Sequence, residues 1–540
     1  MAFRSNSPLK NLADRDYRRD TAPPNTPPVP PLQQKHHSLR IALLLLLAFG
    51  LVVATVQISS FIAIGNNELH IRVGNQQPAL LDLRQSSPIS PYLLGANVFP
   101  EEGTTSVDNI GRGFMSYQSP VVNGLRSAHI KLLRFPGGDW GDKYLFSHKQ
   151  LTAFSTLLTQ VGANGMIQAP LGTLTPGQDN SLAARANRAA LLVDYMNNPH
   201  STQRTGNNAP FTPIKFWTVG NEPDRLTNPD TGKTYTVAEY VQAFIQYSLA
   251  MHEKNPTIKV FGPEISQFYG LGTGLTDAQG QLWMEGFLKG VSTYELAHPE
   301  LKFHLLDGVS FHRYPFNDAQ QASGLLMSST SEWNYLLPSL HQLIQQDFGR
   351  DIPVAVTEIN TNPNAAVPPQ GLAALWWGDT LGMLMSQQVQ YAAFFSTEGV
   401  AYPYPLFTAQ NLHATSMLQA MQMISHLQNN FVPLQVQRQP VSVYATQDST
   451  HHTVSLMFVN KSSVTQLAQI DGASGSLLGS PWPSLNIKLT GYSMMIVTLH
   501  QNAGADAYSY IPSANSNTTT PLTHIICGKK TDFISGSALC

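Results

Sequence analysis

The sequence predicts an α/β fold: a (β/α)8 TIM barrel with a C-terminal β-sandwich domain, preceded by one transmembrane helix. Three observations indicate this. Short apolar runs alternate with longer helix-like stretches from about residue 90 to 410, alternating strands follow them, and an uncharged apolar run precedes both. A chain of 540 residues has room for a barrel of roughly 250 residues and a smaller companion domain.

The N-terminal region predicts a membrane anchor. Residues 1–40 are proline-rich and are expected to form a disordered cytoplasmic tail, whereas residues 41–64 carry no charge. About 20 apolar residues are enough to cross roughly 30 Å of hydrocarbon. Basic residues are concentrated before this run, which places the N-terminus in the cytoplasm and the rest of the chain outside, on a single-pass anchor in the cell membrane. The alternative is a cleaved signal peptide and a secreted protein.

Composition excludes several classes of partner. Charged residues make up 12% of the chain and the net charge is −2, so no field would recruit nucleic acid. The sequence has no phosphate-binding loop ending in Gly-Lys-Ser/Thr and no His-Glu-x-x-His helix. We therefore expect no cofactor and no metal ion. Cys527 and Cys540 are the only cysteines, and they could pair outside the cell.

The barrel is expected to span residues 89–410. Eight strand candidates separated by amphipathic stretches indicate eight β-α units, which close into a barrel. One helix has a recognisable start, because Thr236 and Glu239 form a capping box, and it is expected to end near Asn255. The predicted strands are Tyr92–Val98, Ile130–Arg134, Gly165–Ala169, Ile214–Val219, Ile258–Gly262, Gly308–Phe311, Val354–Thr357 and Tyr391–Ser396.

The segments that flank the barrel predict a second domain. Residues 66–88 contain strands too short to fold alone, and we expect them to join the β-sandwich predicted for residues 411–502. That region begins with a helix-like segment and continues with alternating strands such as Thr453–Val459. Residues 503–540 are rich in Ser, Asn, Thr and Gly and are expected to form a flexible tail.

The first candidate catalytic residue is Glu222. It follows the apolar run Phe216–Val219 within Asn221-Glu222-Pro223, at the strand end where barrel enzymes place their chemistry. Pro223 disfavours a helical conformation at Glu222 and ends the strand. The alternative is a glutamate in a solvated loop.

The second candidate is Glu358, which ends the apolar run Val354–Thr357 three β-α units later. Both carboxylates should therefore lie at the same mouth of the barrel. Cleavage of a glycosidic bond needs such a pair, because one group protonates the departing oxygen while the other attacks or activates water.

The chain resembles clan A of the glycoside hydrolases over roughly residues 90–410. Members of that clan carry an Asn-Glu acid/base on strand four and a Glu nucleophile on strand seven, which correspond here to Glu222 and Glu358. Leu133–Gly138 resembles the strand-two Arg-(Tyr/Phe)-Pro-Gly-Gly segment of arabinofuranosidase-like members, and Ser310–Pro315 resembles the strand-six segment.

The first strand also supports the resemblance. Ile89–Asn97 is similar to the first strand of families 39, 44, 51 and 79. The chain departs from the pattern on strand eight, where many members carry a Trp and Ala392–Glu398 has none. This departure weakens assignment to any one family.

Further site residues are expected around the two glutamates. Arg134 ends strand two, and its charge is expected to keep the pKa of Glu358 low. The resemblance implies that Asn221 contacts the sugar 2-hydroxyl and that Tyr314 donates a hydrogen bond to Glu358. From the end of strand six, His312 and Tyr314 alternate with their neighbours and could point to the mouth.

Residues after the other strands are weaker candidates. Asp139 and Trp140 follow a Gly-Gly turn and could offer a hydroxyl acceptor and a stacking face to a sugar. Glu264 and Glu398 are mouth residues by position alone, and we expect each in a loop or at the rim.

The sequence therefore predicts a retaining glycosidase that cleaves O-glycosidic bonds of an extracellular oligo- or polysaccharide by double displacement. Two alternatives remain, a non-catalytic glycan-binding protein on the same fold and a transglycosylase. The sugar and its linkage are not predicted, because loop geometry decides specificity.

Overall fold

A computed structural model describes residues 43–53, 55, 67–101, 115–145, 147–204, 211–316, 329–363, 368–398, 404–409, 411–436, 438–472, 481–512, 523–527 and 530–534. Residues 43–53 are helical, but the described residues include no helix long and apolar enough to cross a membrane. Most of the rest of the predicted span 41–64 lies outside the described residues, as does the predicted tail 1–40. The transmembrane helix is therefore not confirmed.

Three short strands precede the barrel: β1 (Glu68–Val73), β2 (Ala79–Asp82) and β3 (Ser87–Pro88). The predicted barrel follows and is confirmed, because eight parallel strands form a closed sheet and each overlaps one of the predicted runs. The eighth strand pairs with the first. The barrel strands are β4 (Gly95–Asn97), β5 (Leu132–Phe135), β6 (Asn164–Ala169), β7 (Phe216–Val219), β8 (Lys259–Ile265), β9 (Gly308–Arg313), β10 (Val354–Ile359) and β11 (Tyr391–Phe394).

Helices cover the outside of the barrel, so its strands are buried on both faces and read as apolar runs rather than as alternating ones. Every residue of β5, β7, β9 and β10 is buried. The helices are α1 (Ser119–Ser127), α2 (Trp140–Lys143), α3 (His148–Val161), α4 (Leu182–Asn197), α5 (Val237–Lys254), α6 (Trp283–Ala297), α7 (Trp333–Phe348), α8 (Gln370–Ser386) and α9 (Ser416–Ile424). The capping box predicted at Thr236 and Glu239 is present at the start of α5.

The remaining strands form two sheets on either side of a second apolar core. The later strands are β12 (Asn430–Val432), β13 (Val441–Asp448), β14 (Thr453–Asn460), β15 (Gln466–Gly472), β16 (Ser484–Leu489), β17 (Ser493–His500), β18 (Ala505–Tyr510), β19 (Thr523–Cys527) and β20 (Lys530–Ile534). One sheet has the order β2-β1-β15-β16-β20 and the other β19-β18-β17-β14-β13-β12-β3. Strand β1 pairs with β15, so segments from both sides of the barrel build this domain.

The structure differs from the flexible tail expected at residues 503–540, because β18, β19 and β20 all pair within the sheets. This segment is polar in composition, but burial alternates along β18, where Ala505 and Ala507 are buried and their neighbours are partly exposed. The predicted pairing of Cys527 with Cys540 stays a prediction, because Cys540 lies outside the described residues.

A buried ion pair joins the barrel to the second domain. Asp379 of α8 accepts hydrogen bonds from Lys461 Nζ at 3.0 Å, Tyr444 Oη at 2.7 Å and Thr330 Oγ1 at 2.6 Å. Burial acts to raise the pKa of Asp379, but the charge of Lys461 and the hydrogen bonds outweigh it and lower that pKa. Removing one member of such a pair leaves its partner charged and uncompensated.

We predict that Asp379→Asn lowers the free energy of unfolding by about 3 kcal/mol, because Lys461 stays buried without its counter-charge. The measurement is the urea unfolding midpoint followed by tryptophan fluorescence. Asp351→Asn is the matched control, since the side chain of Asp351 is 88% exposed. Equal midpoints for the two variants would contradict the assignment.

Candidate active site

A cavity of about 330 Å³ opens at the carboxyl ends of the barrel strands. Its lining includes five of the predicted site residues, namely Asp139, Asn221, Glu222, Tyr314 and Glu358. A cavity of about 380 Å³ at α8 has no carboxylate in its lining. The carboxylates, rather than cavity volume, therefore mark the mouth of the barrel as the candidate active site.

Glu222 is held at the end of β7 in an unusual backbone conformation. Its φ is +42°, in the left-handed region that few residues other than glycine adopt. Its backbone N–H donates to the carbonyl oxygen of Glu264 on the neighbouring strand at 3.0 Å. Glu264 itself has a φ of +60°. Two glutamates on adjacent strands thus depart from regular strand conformation. Such strained backbone positions cluster at functional sites.

Glu358 lies within β10, and both of its carboxylate oxygens accept hydrogen bonds. Arg134 Nη1 donates to Oε1 at 2.9 Å, and Tyr314 Oη donates to Oε2 at 2.8 Å. The hydrogen bond from Tyr314 that the resemblance implied is therefore present. The two bonds fix the orientation of the carboxylate toward the cavity.

Arg134 is fully buried and donates to side chains at the ends of four other strands. Besides Glu358, its acceptors are Asn97 Oδ1 at 2.8 Å, Asn221 Oδ1 at 2.8 Å and Glu264 Oε2 at 2.7 Å. A buried guanidinium needs this many acceptors because it loses its hydration. Arg134 thus connects the nucleophile candidate to the asparagine beside the acid/base candidate.

Glu264 was expected at the rim, and that expectation is wrong because its side chain is completely buried. It pairs with Arg134 and accepts from Thr357 Oγ1 at 2.8 Å. Burial opposes its charge, but Arg134 and His312 outweigh burial and lower the pKa of Glu264 to about 2. A signal existed, since Glu264 comes two residues after the predicted run Ile258–Gly262 and Glu222 comes three residues after β7.

His312 lies beneath the cavity and is completely buried. Its Nδ1 is 3.1 Å from Glu222 Oε1 and 3.5 Å from Glu358 Oε2, and its Nε2 is 3.5 Å from Glu264 Oε2. Burial opposes a charge on the ring, but Glu358, Glu222 and Glu264 outweigh burial and raise the pKa of His312 to about 10. The ring is therefore an imidazolium between three carboxylates. It does not line the cavity.

The charge on Glu358 depends on its neighbours. Burial raises the pKa of Glu358, and the charge of Glu222 adds to that effect, whereas His312, Arg134 and Tyr314 act in the opposite direction. Arg134 does lower the pKa of Glu358, as expected. The net shift is nevertheless upward, so the expectation of a low pKa is wrong. His312 lies among these carboxylates as a cation and Arg134 pairs with Glu358, so we assign no metal ion to the group.

Two other predicted residues differ in their access to the cavity. Asp139 lines it, and its Oδ1 accepts from Asn221 Nδ2 at 3.1 Å while its Oδ2 pairs with Lys143 at 2.8 Å. Trp140 is only 5% exposed, packs against Tyr144 and does not line the cavity. The stacking face expected of Trp140 is therefore not presented to a ligand here.

Glu398 was also expected at the rim, but its side chain is completely buried. One oxygen accepts from the backbone N–H of Ser116 at 3.1 Å. Burial raises the pKa of Glu398 to about 8. It does not line the cavity.

Sequence reasoning missed several residues in the lining, which follow β7, β8 and β10. The most consequential is Arg225, whose Nη1 is 2.8 Å from Glu222 Oε2. Tyr269 also lines the cavity, and the guanidinium of Arg313 lies 5.2 Å from its ring centroid. Position after a barrel strand was the only available signal for either residue. The other missed members of the lining are Ser266, Gln267, Leu275 and Pro363.

Comparison with known families gives a partial match. The sequence model of glycoside hydrolase family 44 matches residues 144–317. This range includes Glu222 and Tyr314 but neither Arg134 nor Glu358. A comparison with curated proteins found no match.

Solved structures share the fold at low identity. One is a family 51 α-L-arabinofuranosidase from Bifidobacterium longum, with 15% identity, coverage of 73% of this chain and 86% of that chain, and a TM-score of 0.53. A second is CelM2, a bifunctional glucanase-xylanase from a metagenome library, with 16% identity, coverage of 77% of this chain and 97% of that chain, and a TM-score of 0.54. A third is a family 44 xyloglucanase from Paenibacillus polymyxa, with 14% identity, coverage of 77% of this chain and 97% of that chain, and a TM-score of 0.53.

The fold and the family match together relate the chain to clan A of the glycoside hydrolases. This relationship supports hydrolysis of glycosidic bonds in general. It agrees with a mouth that carries two carboxylates on the fourth and seventh strands.

The raised pKa of His312 predicts a pH-dependent contribution to stability. The folded protein holds a proton that the unfolded chain releases above its ordinary pKa of about 6.5. This stabilisation is complete below about pH 6.5 and is lost as the pH rises to about 10. We expect the free energy of unfolding of the native chain, relative to His312→Gln, to fall across that window in urea titrations. A difference that stays constant with pH would contradict the imidazolium.

Proposed function

We propose that the protein hydrolyses an O-glycosidic bond with retention of anomeric configuration, using Glu358 as nucleophile and Glu222 as acid/base. One observation carries this proposal: single oxygens of the two carboxylates and a ring nitrogen of His312 all lie within 4.8 Å of one another. Carboxyl groups about 5 Å apart are typical of retaining enzymes, whereas inverting enzymes need roughly 6.5–9.5 Å to accommodate a water molecule.

In the first step, an oxygen of Glu358 forms a bond to the anomeric carbon as the glycosidic C–O bond breaks. The electron pair of that bond goes to the departing oxygen, which takes a proton from Glu222 and leaves as an alcohol. The bond from Tyr314 and the charge of Arg134 orient the attacking carboxylate.

In the second step, Glu222 is ionised and accepts a proton from water as the water oxygen attacks the anomeric carbon. The bond to Glu358 breaks, and its electron pair returns to that carboxylate. Asn221 lies between Arg134 and Asp139, a position from which it could meet a sugar hydroxyl in the cavity.

The location of the enzyme is part of the proposal. The uncharged run 41–64 and the basic residues before it support a single-pass anchor with the barrel on the extracytoplasmic side. An extracellular oligo- or polysaccharide would then be the substrate. The named activities of the similar structures suggest arabinofuranosides, glucans, xylans and xyloglucan as the compounds to test first.

We predict that the full chain hydrolyses at least one aryl glycoside or polysaccharide from that set. The product first formed should keep the anomeric configuration of the substrate, as followed by proton NMR before mutarotation. Inverted product would contradict the assignment of Glu358 as nucleophile. Binding without turnover by the native chain would instead support the glycan-binding alternative.

The two glutamates should respond differently to substitution. Glu358→Gln removes the nucleophile, so activity should fall below detection on every substrate. Glu222→Gln should reduce kcat/KM by roughly 10²–10⁴-fold on substrates with poor leaving groups and far less on activated ones, because the latter need little protonation. Exposed Glu300→Gln serves as control. Full activity in either active-site variant would refute the pair.

A further inference from the structure

The acid/base candidate carries an exposed cation. Arg225 Nη1 lies 2.8 Å from Glu222 Oε2, and the side chain of Arg225 is 70% exposed. The backbone N–H of Arg225 donates to the carbonyl oxygen of Glu222 at 2.8 Å in a tight turn. The turn fixes the backbone of Arg225 beside Glu222, while its side chain remains open to the cavity that it lines.

Both oxygens of Glu222 are engaged by cationic donors, but the donors differ in mobility. Oε1 faces Nδ1 of the buried His312 at 3.1 Å, whereas Oε2 faces the exposed Arg225. A guanidinium only donates hydrogen bonds. Because Oε2 faces this guanidinium and Oε1 faces the imidazolium of His312, both oxygens act as acceptors, an arrangement that suits ionised Glu222. The ionised form cannot protonate a leaving group.

We propose that Arg225 is a displaceable positioning residue, which pairs with ionised Glu222 before a glycoside binds and leaves Oε2 when the glycosidic oxygen enters. This inference rests on the proposed function of Glu222. Arg225 has opposite effects on the two steps, because its charge disfavours the protonated Glu222 that the first step needs and favours the ionised Glu222 that the second step needs. Departure of the alcohol allows Arg225 to return while Glu222 activates water.

Release of Arg225 is energetically accessible. The arginine end of this pair is 70% exposed while the Glu222 side chain is 11% exposed, so water and salt screen it more than the buried pairs beneath it. The charges of Glu222, Asp139 and Asp224 all raise the pKa of Arg225, so other acids lie near enough to receive its guanidinium. Asp139 lines the same cavity.

The other charged groups around Glu222 are fixed. His312 approaches from β9, Glu358 from β10 and Asp224 from the same loop as Arg225, while β8 contributes the carbonyl oxygen of Glu264. Asp224 is held by both the N–H and the hydroxyl of Ser266. Arg225 is thus the charge near Glu222 that can change without breaking a buried contact.

The test compares Arg225→Gln, Arg225→Lys and the control Arg84→Gln in the full chain. Arg84 is an exposed arginine that pairs with acids in the second domain. The profile of kcat/KM against pH is measured on two aryl glycosides of one sugar, a phenyl glycoside that needs protonation and a 2,4-dinitrophenyl glycoside that does not.

With the phenyl glycoside, Arg225→Gln should move the alkaline limb upward by about 0.5–1 pH unit, because Glu222 keeps its proton longer without the cation. The limb should stay in place with the dinitrophenyl glycoside. In Arg225→Lys, which keeps the cation, and in Arg84→Gln, the limb with the phenyl glycoside should stay at its native position. An unmoved limb in Arg225→Gln, or an equal shift with both glycosides, overturns the proposal.

A second measurement is independent of turnover. In protein labelled with ¹³C at the glutamate carboxyl carbons, the resonance absent from Glu222→Gln identifies Glu222. Its titration midpoint should rise in Arg225→Gln and stay near the native value in Arg225→Lys. An unchanged midpoint in Arg225→Gln refutes the inference even if the protein cleaves glycosides, whereas a raised midpoint without any turnover refutes the proposed function alone.

Discussion

Burial of one guanidinium organises the mouth of the barrel. Arg134 has lost its water shell, so the ends of four other strands must supply oxygens to its N–H groups. This requirement brings Asn221, Glu264 and Glu358 to one point although they lie far apart in the chain. The position of the nucleophile candidate and of the asparagine beside Glu222 therefore follows from solvating a single buried cation.

The charges around this cation do not balance within the buried layer. Glu222, Glu264 and Glu358 carry three potential negative charges, whereas Arg134 and His312 supply two positive ones. Arg225 at the surface supplies a third positive charge, 2.8 Å from Glu222 Oε2. Arg134 and His312 lower the pKa of Glu264, so the charge that can vary falls to the two carboxylates that face the cavity, Glu222 and Glu358.

The sequence predicted the features that depend on local pattern. Eight apolar runs gave eight strands, and Glu222 and Glu358 were found because each directly follows or ends such a run. Among contacts between distant residues, the resemblance implied the hydrogen bond from Tyr314 to Glu358. Nothing near residue 264, in contrast, indicates that Arg134 is the partner of Glu264. The left-handed backbone at Glu222 and the burial of Trp140 also arise from tertiary packing, which a periodic pattern does not encode.

Pairing of β1 with β15 has a consequence for how the protein is made. Leu69 lies opposite Gly472, about 400 residues later in the chain. At about 5–20 residues per second, a ribosome needs tens of seconds to synthesise the intervening segment. During that time β1 and β2 have no partner from the later strands, so their edge is exposed to pairing with other chains. Conditions that slow elongation should therefore favour aggregation of the nascent protein, although its finished fold is unchanged.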